Sequence, residues 1–230
     1  MTAPSSVVLV SAHHEQPEVQ ISADPAPPTV YDFYGFPAPL YQLTYAAPGA
    51  PEIAHSLVES MRRAGALCSV QETARRGFDH GAWVPLLELF PQANVPVVQV
   101  SLLCEAGDAA GQAERHVQLG AALGDALPED ALLIGSGSLT HAVPERGQRG
   151  DTPHWVEAFR AWVHEAVSRQ DMQALQAYRT EAPFAQRNHP TQEHLMPLFV
   201  LLGAFGSADA TLLHTSTMHD VLAMDAYSWR

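Results

Sequence analysis

The sequence contains little cysteine and little positive charge. Its two cysteines, Cys68 and Cys104, are too few for a disulfide framework or a thiolate zinc site, so we expect a reducing, cytoplasmic location. The 12 Lys and Arg residues form no run and are outnumbered by 25 acidic residues, which argues against a nucleic-acid or anionic-membrane surface. The N-terminus has neither a basic leader nor a long apolar run, so we expect no signal peptide and no membrane span.

The remaining composition is typical of one folded domain. Apolar residues make up 47% of the chain and charged residues 16%, which is a globular composition. A length of 230 residues suits a single catalytic domain over residues 1–230. Short β-branched runs alternate with helical patterns, which predicts an α/β fold with a central, mostly parallel or mixed sheet flanked by helices.

Apolar periodicity predicts the individual elements. Strands are expected at residues 7–11, 67–71, 95–102, 131–134, 210–213 and 221–227. Helices are expected at residues 51–65, 83–90, 108–127, 153–168, 171–178 and 193–204, the last with Thr191 as its N-cap. Residues 23–45 are rich in proline and aromatic side chains and predict a long, ordered loop.

Histidine is abundant, with 12 residues. In an open α/β sheet, ligands bind beyond the carboxyl ends of the strands. His13 and His14 directly follow the first strand, His141 follows the strand at 131–134, and His194 is expected in the first turn of the helix at 193–204. Converging imidazoles would form a Zn(II) or Fe(II) site, although each of these histidines taken alone is more often a capping or solvated residue.

Two further histidines allow two interpretations each. His80, which lies between Asp79 and Gly81, is either an incidental turn residue or a substrate-pocket histidine, and His189 could belong to the pocket likewise. Four others fall on predicted helices and are expected at the surface: His55, His116, His154 and His164. The nucleophile elbow, the P-loop and the dinucleotide-binding fingerprint do not occur in the sequence.

A series of local motifs covers nearly the whole chain, from residue 11 to residue 229. The motifs are Ser11-Ala12-His13, Tyr31-Asp32-Phe33-Tyr34-Gly35-Phe36-Pro37, Gly77-Phe78-Asp79-His80-Gly81, Ile134-Gly135-Ser136-Gly137-Ser138, Thr140-His141, His189-Pro190 and Glu193-His194-Leu195-Met196-Pro197. In this order they resemble the class III extradiol ring-cleaving dioxygenases, of the 4,5-DOPA dioxygenase type.

The resemblance implies an oxidoreductase that opens the ring of a catechol such as DOPA with O2, beside the two hydroxyls. The family uses a non-haem divalent metal, iron or zinc. Neutral imidazoles hold such an ion while leaving positions open for catechol and O2, and a free histidine can move a proton. By the resemblance, His13 and His194 are metal ligands, and His141 is a ligand or a catalytic acid/base. The implied pocket residues are His80, also a catalytic candidate, with His189 and Tyr34 as substrate contacts.

The chain departs from the family pattern at its beginning. The family normally has one further βα unit before the strand that ends in His13, and its His-Gly-Ser-Pro motif provides a metal ligand that nothing here matches. We expect either a chain start assigned too late or a variant with a depleted site. A missing strand would leave an unpaired edge beside residues 7–11, which predicts lower stability or a homodimer formed through that edge.

Two substitutions add to this departure. His14 stands where the family usually has Trp, and Ala142 where it has Asn. Adjacent strand residues point to opposite faces, so His14 is not expected to replace the missing ligand. Two other functions therefore stay open: an inactive metal-binding or metal-free binding domain of the same fold, and a zinc hydrolase that uses the same histidines.

Overall fold

A computed structural model describes residues 4–65, 68–71, 76–104, 111–142 and 150–229. Its central five-stranded sheet consists of β1 (Ser6–Gln16), β2 (Val19–Ser22), β3 (Cys68–Gln71), β4 (Val97–Leu103) and β5 (Ala131–Ser136). The strand order is β3-β2-β4-β1-β5, and β1 runs parallel to both of its neighbours. Because β2 is antiparallel to β4, the sheet is mixed, and the predicted α/β fold is confirmed.

Strand β1 owes its central place to an uninterrupted apolar run. Its residues Val7, Val8, Leu9 and Val10 are all fully buried. Val8 and Val10 belong to the larger apolar cluster on one face of the sheet, whereas Val7 and Leu9 join a second cluster with Trp83 on the other face. A strand covered on both faces needs apolar side chains at consecutive positions, which this run provides.

Both edges of β1 are paired, so the predicted unpaired edge beside residues 7–11 is wrong. Val7 pairs with Val97 of β4 on one side and with Leu132 of β5 on the other. The edge strands of the described sheet are β3 and β5. A dimer through the edge of β1 therefore loses its physical basis, and a homodimer formed in another way stays a prediction.

The described helices are α1 (Pro51–Arg63), α2 (His80–Leu89), α3 (Gln112–Gly124), α4 (His154–Ser168), α5 (Met172–Gln176), α6 (Tyr178–Glu181), α7 (Ala185–Asn188) and α8 (Met196–Phe205). Helices α3 and α8 pack with their backbones in close contact. A Cβ on Gly203 would lie 2.1 Å from the carbonyl oxygen of Val117, and one on Gly120 would lie 2.0 Å from that of Val200. Glycine at both positions therefore sets the separation of the two helices. None of the described helices has the length and apolar character that crossing a membrane requires.

Several predicted elements differ from the structure at the end of the chain. Helix α8 begins at Met196 with Leu195 as its N-cap residue, so the predicted N-cap, Thr191, is wrong. The Thr191 hydroxyl instead donates to the Glu193 carboxylate at 3.0 Å, within a turn that precedes the helix. The predicted strand at 221–227 is divided between two small antiparallel pairs: β7 (Thr217–Met218) with β8 (Leu222–Ala223), and β6 (Ala210–His214) with β9 (Ala226–Trp229).

The expected surface position of His116 is also wrong. Its ring is fully buried, where Nε2 accepts the backbone N–H of Leu103 at 3.1 Å and Nδ1 lies 2.8 Å from the Gln112 carbonyl oxygen. A histidine with both ring nitrogens paired can occupy a helix face that packs on the sheet. Residue 67 of the predicted second strand and residues 108–110 of the predicted third helix lie outside the described residues.

Candidate metal centre

A wide bulge interrupts β1 at its carboxyl end. Val10 pairs with Val100 of β4, but the next pair joins Glu15 to Leu102, so residues 11–14 lie opposite one residue. The bulge places His13 and His14 differently: the side chain of His13 is 28% exposed, whereas His14 is fully buried. Bulges are frequent beside active sites because they redirect a side chain without breaking the strand, and here the redirected side chain is His13.

A buried carboxylate holds this bulge in place. Asp79 accepts the Ser11 hydroxyl at 2.6 Å and the Gln99 amide at 2.5 Å. Arg76 donates to the same carboxylate at 3.2 Å and also to the carbonyl oxygen of His13. The Ser11 oxygen in turn accepts the backbone N–H of His13 at 3.2 Å. The backbone on both sides of the His13 side chain is therefore tied to one buried polar network.

The space beside this network admits no larger residue than glycine at position 81. A Cβ on Gly81 would lie 2.4 Å from the Ser11 oxygen and 3.3 Å from the His13 ring. The Gly at this position of the Gly77–Gly81 motif thus lets helix α2 begin directly against the bulge.

His80 is the first residue of α2 and contacts a carboxylate from the aromatic loop. Asp32 Oδ1 accepts the backbone N–H of His80 at 2.9 Å and lies 2.8 Å from its ring Nδ1. The first N–H groups of a helix need an acceptor from outside the helix, and Asp32 provides one while Asp79, the N-cap residue, is directed toward the bulge. The second oxygen of Asp32 lies 3.7 Å from Nδ1 of His13.

His141 and His194 come together across the turn that follows β5. The backbone N–H of Ser138 donates to the carbonyl oxygen of His194 at 3.1 Å, and a Cβ on Gly137 would lie 2.2 Å from that oxygen. The two rings stack with centroids 3.4 Å apart and planes 6° from parallel. The Ser138 hydroxyl lies 3.4 Å from Nδ1 of both rings.

Four histidine rings therefore form one continuous group. The ring of His13 lies 4.0 Å from that of His80 and 5.0 Å from that of His194, measured between centroids. His194 then continues the group to His141. The structure thus brings together two histidines that the sequence places after strands, His13 and His141, with His194, which lies just before α8 and not in its first turn as predicted, and adds His80 on the far side of His13.

Burial favours the neutral form of three of these imidazoles, those of His13, His141 and His194. It is the largest cause of the lowered pKa of His194, which falls to about 2 with further contributions from His141 and His13. Burial, followed by the neighbouring His80, lowers the pKa of His13, and burial lowers that of His141. Neutral imidazole is the form that binds a metal ion, so the rings are ready to bind one at neutral pH.

The donor atoms suit a divalent ion. Among the described residues, His13, Asp32 and His80 each place one ligand atom within 4.8 Å of the others. Two further imidazoles, His141 and His194, extend the donor set on the other side of His13. Imidazole nitrogen and carboxylate oxygen are the ligands expected for zinc or non-haem iron.

Two other sequence-predicted pocket residues differ from each other in exposure. His189 is fully buried, with Nε2 2.9 Å from the Leu139 carbonyl oxygen, and burial lowers its pKa to about 4. Tyr34 is 90% exposed. Their contacts with a substrate stay predictions. His14 is buried within the bulge, and burial lowers its pKa to about 3.

An aromatic wall stands beside His80. The ring of Phe33 meets that of His80 edge to face with centroids 5.6 Å apart. Behind it, Tyr41 and Trp83 pack against Phe33 at 5.0 and 6.2 Å, while Phe36 is 55% exposed. A planar, apolar ligand that reaches the histidines would meet this wall.

Two site residues were missed by reasoning from the sequence. Asp32 and Asp79 lie inside motifs that carry the family resemblance, but neither had been given a role. The contact between Asp32 and His80 spans 48 positions, and that between Asp79 and Ser11 spans 68. The sequence signal that could have identified them is the presence, in each motif, of one acidic residue among apolar or aromatic residues.

Comparisons with known proteins agree on one family. Residues 1–226 match the family model described as the catalytic LigB subunit of aromatic ring-opening dioxygenase. The chain is 36% identical over 231 residues to a 4,5-DOPA dioxygenase extradiol of Beta vulgaris, covering 98% of this chain and 83% of the relative. It is 33% identical over 207 residues to a protein of the same name from Escherichia coli K12, covering 88% of this chain and 73% of that one.

A solved structure has the same fold. The crystal structure of an uncharacterized protein from Escherichia coli K12 superposes with a TM-score of 0.76 at 27% sequence identity. The match covers 99% of this chain and 86% of that one.

Proposed function

Since the chain belongs to the LigB family of aromatic ring-opening dioxygenases, we propose that it opens the ring of a catechol beside its two hydroxyls, at a non-haem divalent metal ion. In this reaction one ring C–C bond breaks and both atoms of O2 enter the product. The single observation that carries the proposal is the group of four histidine rings, whose neighbouring centroids lie 3.4 to 5.0 Å apart.

We propose His13 and His194 as metal ligands, with His141 as a third ligand or as an acid/base. Their lowered pKa values support this assignment, because neutral rings bind a cation without first releasing a proton. Iron or zinc bound there would supply positions at which catechol and O2 meet. The buried network at Asp79 would hold the backbone of His13 in place for this role.

The remaining residues would bind and orient the substrate. The wall that includes Phe33 would contact the face or edge of the catechol ring and exclude water from one side. His80 lies between this wall and His13, where its ring could accept a proton from a catechol hydroxyl and return it later. His189 and Tyr34 are proposed as further contributors to the pocket.

The test uses the complete chain loaded anaerobically with Fe(II). We expect L-DOPA to trigger oxygen uptake equal to the amount of catechol consumed, with a yellow ring-opened product. The matched control is 3-O-methyl-DOPA, which lacks the second free hydroxyl and should cause no uptake. Iron retention without oxygen uptake from any catechol would favour the inactive metal-binding alternative, and zinc-dependent amide hydrolysis would favour the hydrolase.

A further inference from the structure

We infer that Asp32 is a positioning residue that fixes the ring orientation and the tautomer of His80. Its carboxylate holds the proton of the His80 ring on Nδ1, which leaves the lone pair of Nε2 for the site. The inference takes its catalytic meaning from the proposed function, but the tautomer itself can be measured without turnover.

The carboxylate of Asp32 holds His80 at two points. One oxygen, Oδ1, accepts the backbone N–H at 2.9 Å and lies 2.8 Å from the ring Nδ1. A backbone amide can only donate, and a carboxylate oxygen that faces Nδ1 at this distance accepts a hydrogen bond from the ring N–H. Two contacts to the same residue fix both the start of α2 and the rotation of the imidazole.

Asp32 is itself held by its neighbours in the chain. The indole N–H of Trp83 donates to the Val30 carbonyl at 3.0 Å, and the backbone N–H of Val30 donates to the Phe78 carbonyl at 2.8 Å. Tyr31 donates its hydroxyl to the Leu43 carbonyl at 2.6 Å. The segment that presents Asp32 is therefore fixed against α2 independently of the carboxylate.

The tautomer decides what His80 can do. With the proton on Nδ1, the nitrogen that remains free is Nε2, and an imidazole nitrogen with a lone pair can accept a proton or a hydrogen bond. Partners that orient a histidine in this way typically change metal affinity or activity by about 10- to 100-fold when removed.

The first measurement is a long-range 1H–15N correlation spectrum of the metal-free protein, with His80 assigned by its absence from His80→Gln. We expect wild-type His80 to carry its proton on Nδ1. Asp32→Ala should lose this preference, whereas Asp32→Asn keeps an oxygen acceptor and should retain it. A wild-type ring with its proton on Nε2, or an unchanged tautomer in Asp32→Ala, would overturn the inference.

The second measurement is steady-state turnover of the iron-loaded variants. Asp32→Ala should lower kcat about 10- to 100-fold with a much smaller change in KM, and Asp32→Asn should recover most of that loss. The matched control is Asp209→Ala, which removes an exposed carboxylate that accepts the Gln170 side chain at 2.8 Å and should leave both constants unchanged. Equal losses in Asp32→Ala and Asp32→Asn would contradict positioning by a hydrogen bond.

The two proposals fail in different ways. If the tautomer follows Asp32 but no catechol is cleaved by the wild type, the proposed function is wrong and the inference about His80 stands. If catechol is cleaved and kcat is the same in all three proteins, the function stands and Asp32 has no positioning role. Thermal unfolding of each variant, measured in parallel, separates loss of folding from loss of either readout.

Discussion

Two histidine–aspartate pairs in this molecule have similar contacts and different surroundings. His80 meets Asp32 beside the bulge of β1, with Nδ1 2.8 Å from the carboxylate. His164 of α4 meets Asp225, between β8 and β9, with Nε2 3.3 Å from the carboxylate. Both pairs tie a helix to a distant segment of chain, so the contact alone does not distinguish a functional site from a structural one.

The balance of charge separates the two pairs. The Arg160 side chain lies 3.4 Å from the fully buried carboxylate of Asp225. Burial alone would raise the pKa of Asp225, but hydrogen bonds from His164 and Thr215 and the charge of Arg160 lower it. Around Asp32, by contrast, the neighbouring side chains are the imidazoles of His80 and His13. The carboxylate of Asp225 is neutralised by a guanidinium, and this pair joins two elements. Around Asp32 the imidazoles outnumber the carboxylate, so some of their nitrogen atoms can bind a ligand.

Of the variants that test the difference between these two regions, His194→Ala is expected to have the largest effect, which is on the affinity for Zn(II). Loss of a ligand should weaken Zn(II) binding by more than the about 10- to 100-fold cost of losing a supporting contact, as measured by competition with a chromogenic chelator. The matched variant His164→Ala should bind Zn(II) as the wild type does. Equal weakening in both variants would mean that the two regions do not differ in the way described above.

A second comparison concerns the two buried carboxylates. Asp79→Ala and Asp225→Ala each remove a buried carboxylate that a partly buried arginine contacts, so each should lower the free energy of unfolding by about 2 kcal/mol. Urea denaturation of the metal-free proteins measures this. Only Asp79→Ala should also weaken metal binding, because only Asp79 supports the backbone of His13. If Asp79→Ala bound metal with the affinity of the wild type, the hydrogen bonds of Asp79 would not be needed to position His13 for metal binding.

Acid should destabilise the metal-free protein through its buried histidines. The folded-state pKa values of His14, His116, His189 and His194 lie at about 3, 4, 4 and 2, whereas an unfolded histidine has a pKa of about 6.5. Below pH of about 6.5 the unfolded chain therefore binds more protons, and each histidine should lower the free energy of unfolding by on the order of 1 kcal/mol per pH unit down to its folded pKa.

The test is urea denaturation at several pH values between about 6.5 and 5. The variant His116→Gln should show a shallower decrease than the wild type, because it lacks one of the histidines that the unfolded chain protonates first. A free energy of unfolding that stays constant over this range would show that these histidines are accessible to protons in the folded state.

The sequence was most informative where one local pattern decides the structure. The run Val7–Val10 predicts a strand buried on both faces, and the position of His13 directly after it predicts the edge at which the rings gather. Local signals failed where a distant residue decides. The four-residue β2, the bulge at residues 11–14 and the acceptor that Asp32 gives to His80 all depend on partners far away in the chain.

The expected unpaired edge of β1 was wrong for a related reason. It assumed that a family strand absent from the sequence would leave its place beside β1 empty. In the structure, β5 pairs with Ser6–Ser11 and β4 pairs with the opposite side. Strand order is a property of the whole sheet and cannot be read from the residues of one strand.

The division of β1 into two halves affects how this protein could be redesigned. Residues 7–10 are held in register by ladders on both sides, while Ala12, His13 and His14 fall outside both ladders of the described strands. Insertions or deletions among these three residues would change the position and direction of the His13 ring. They would leave the pairing of residues 7–10 with β4 and β5 unchanged. A library that varies the number of residues at this point, and not only their identity, would therefore measure how strictly metal binding depends on the position of His13.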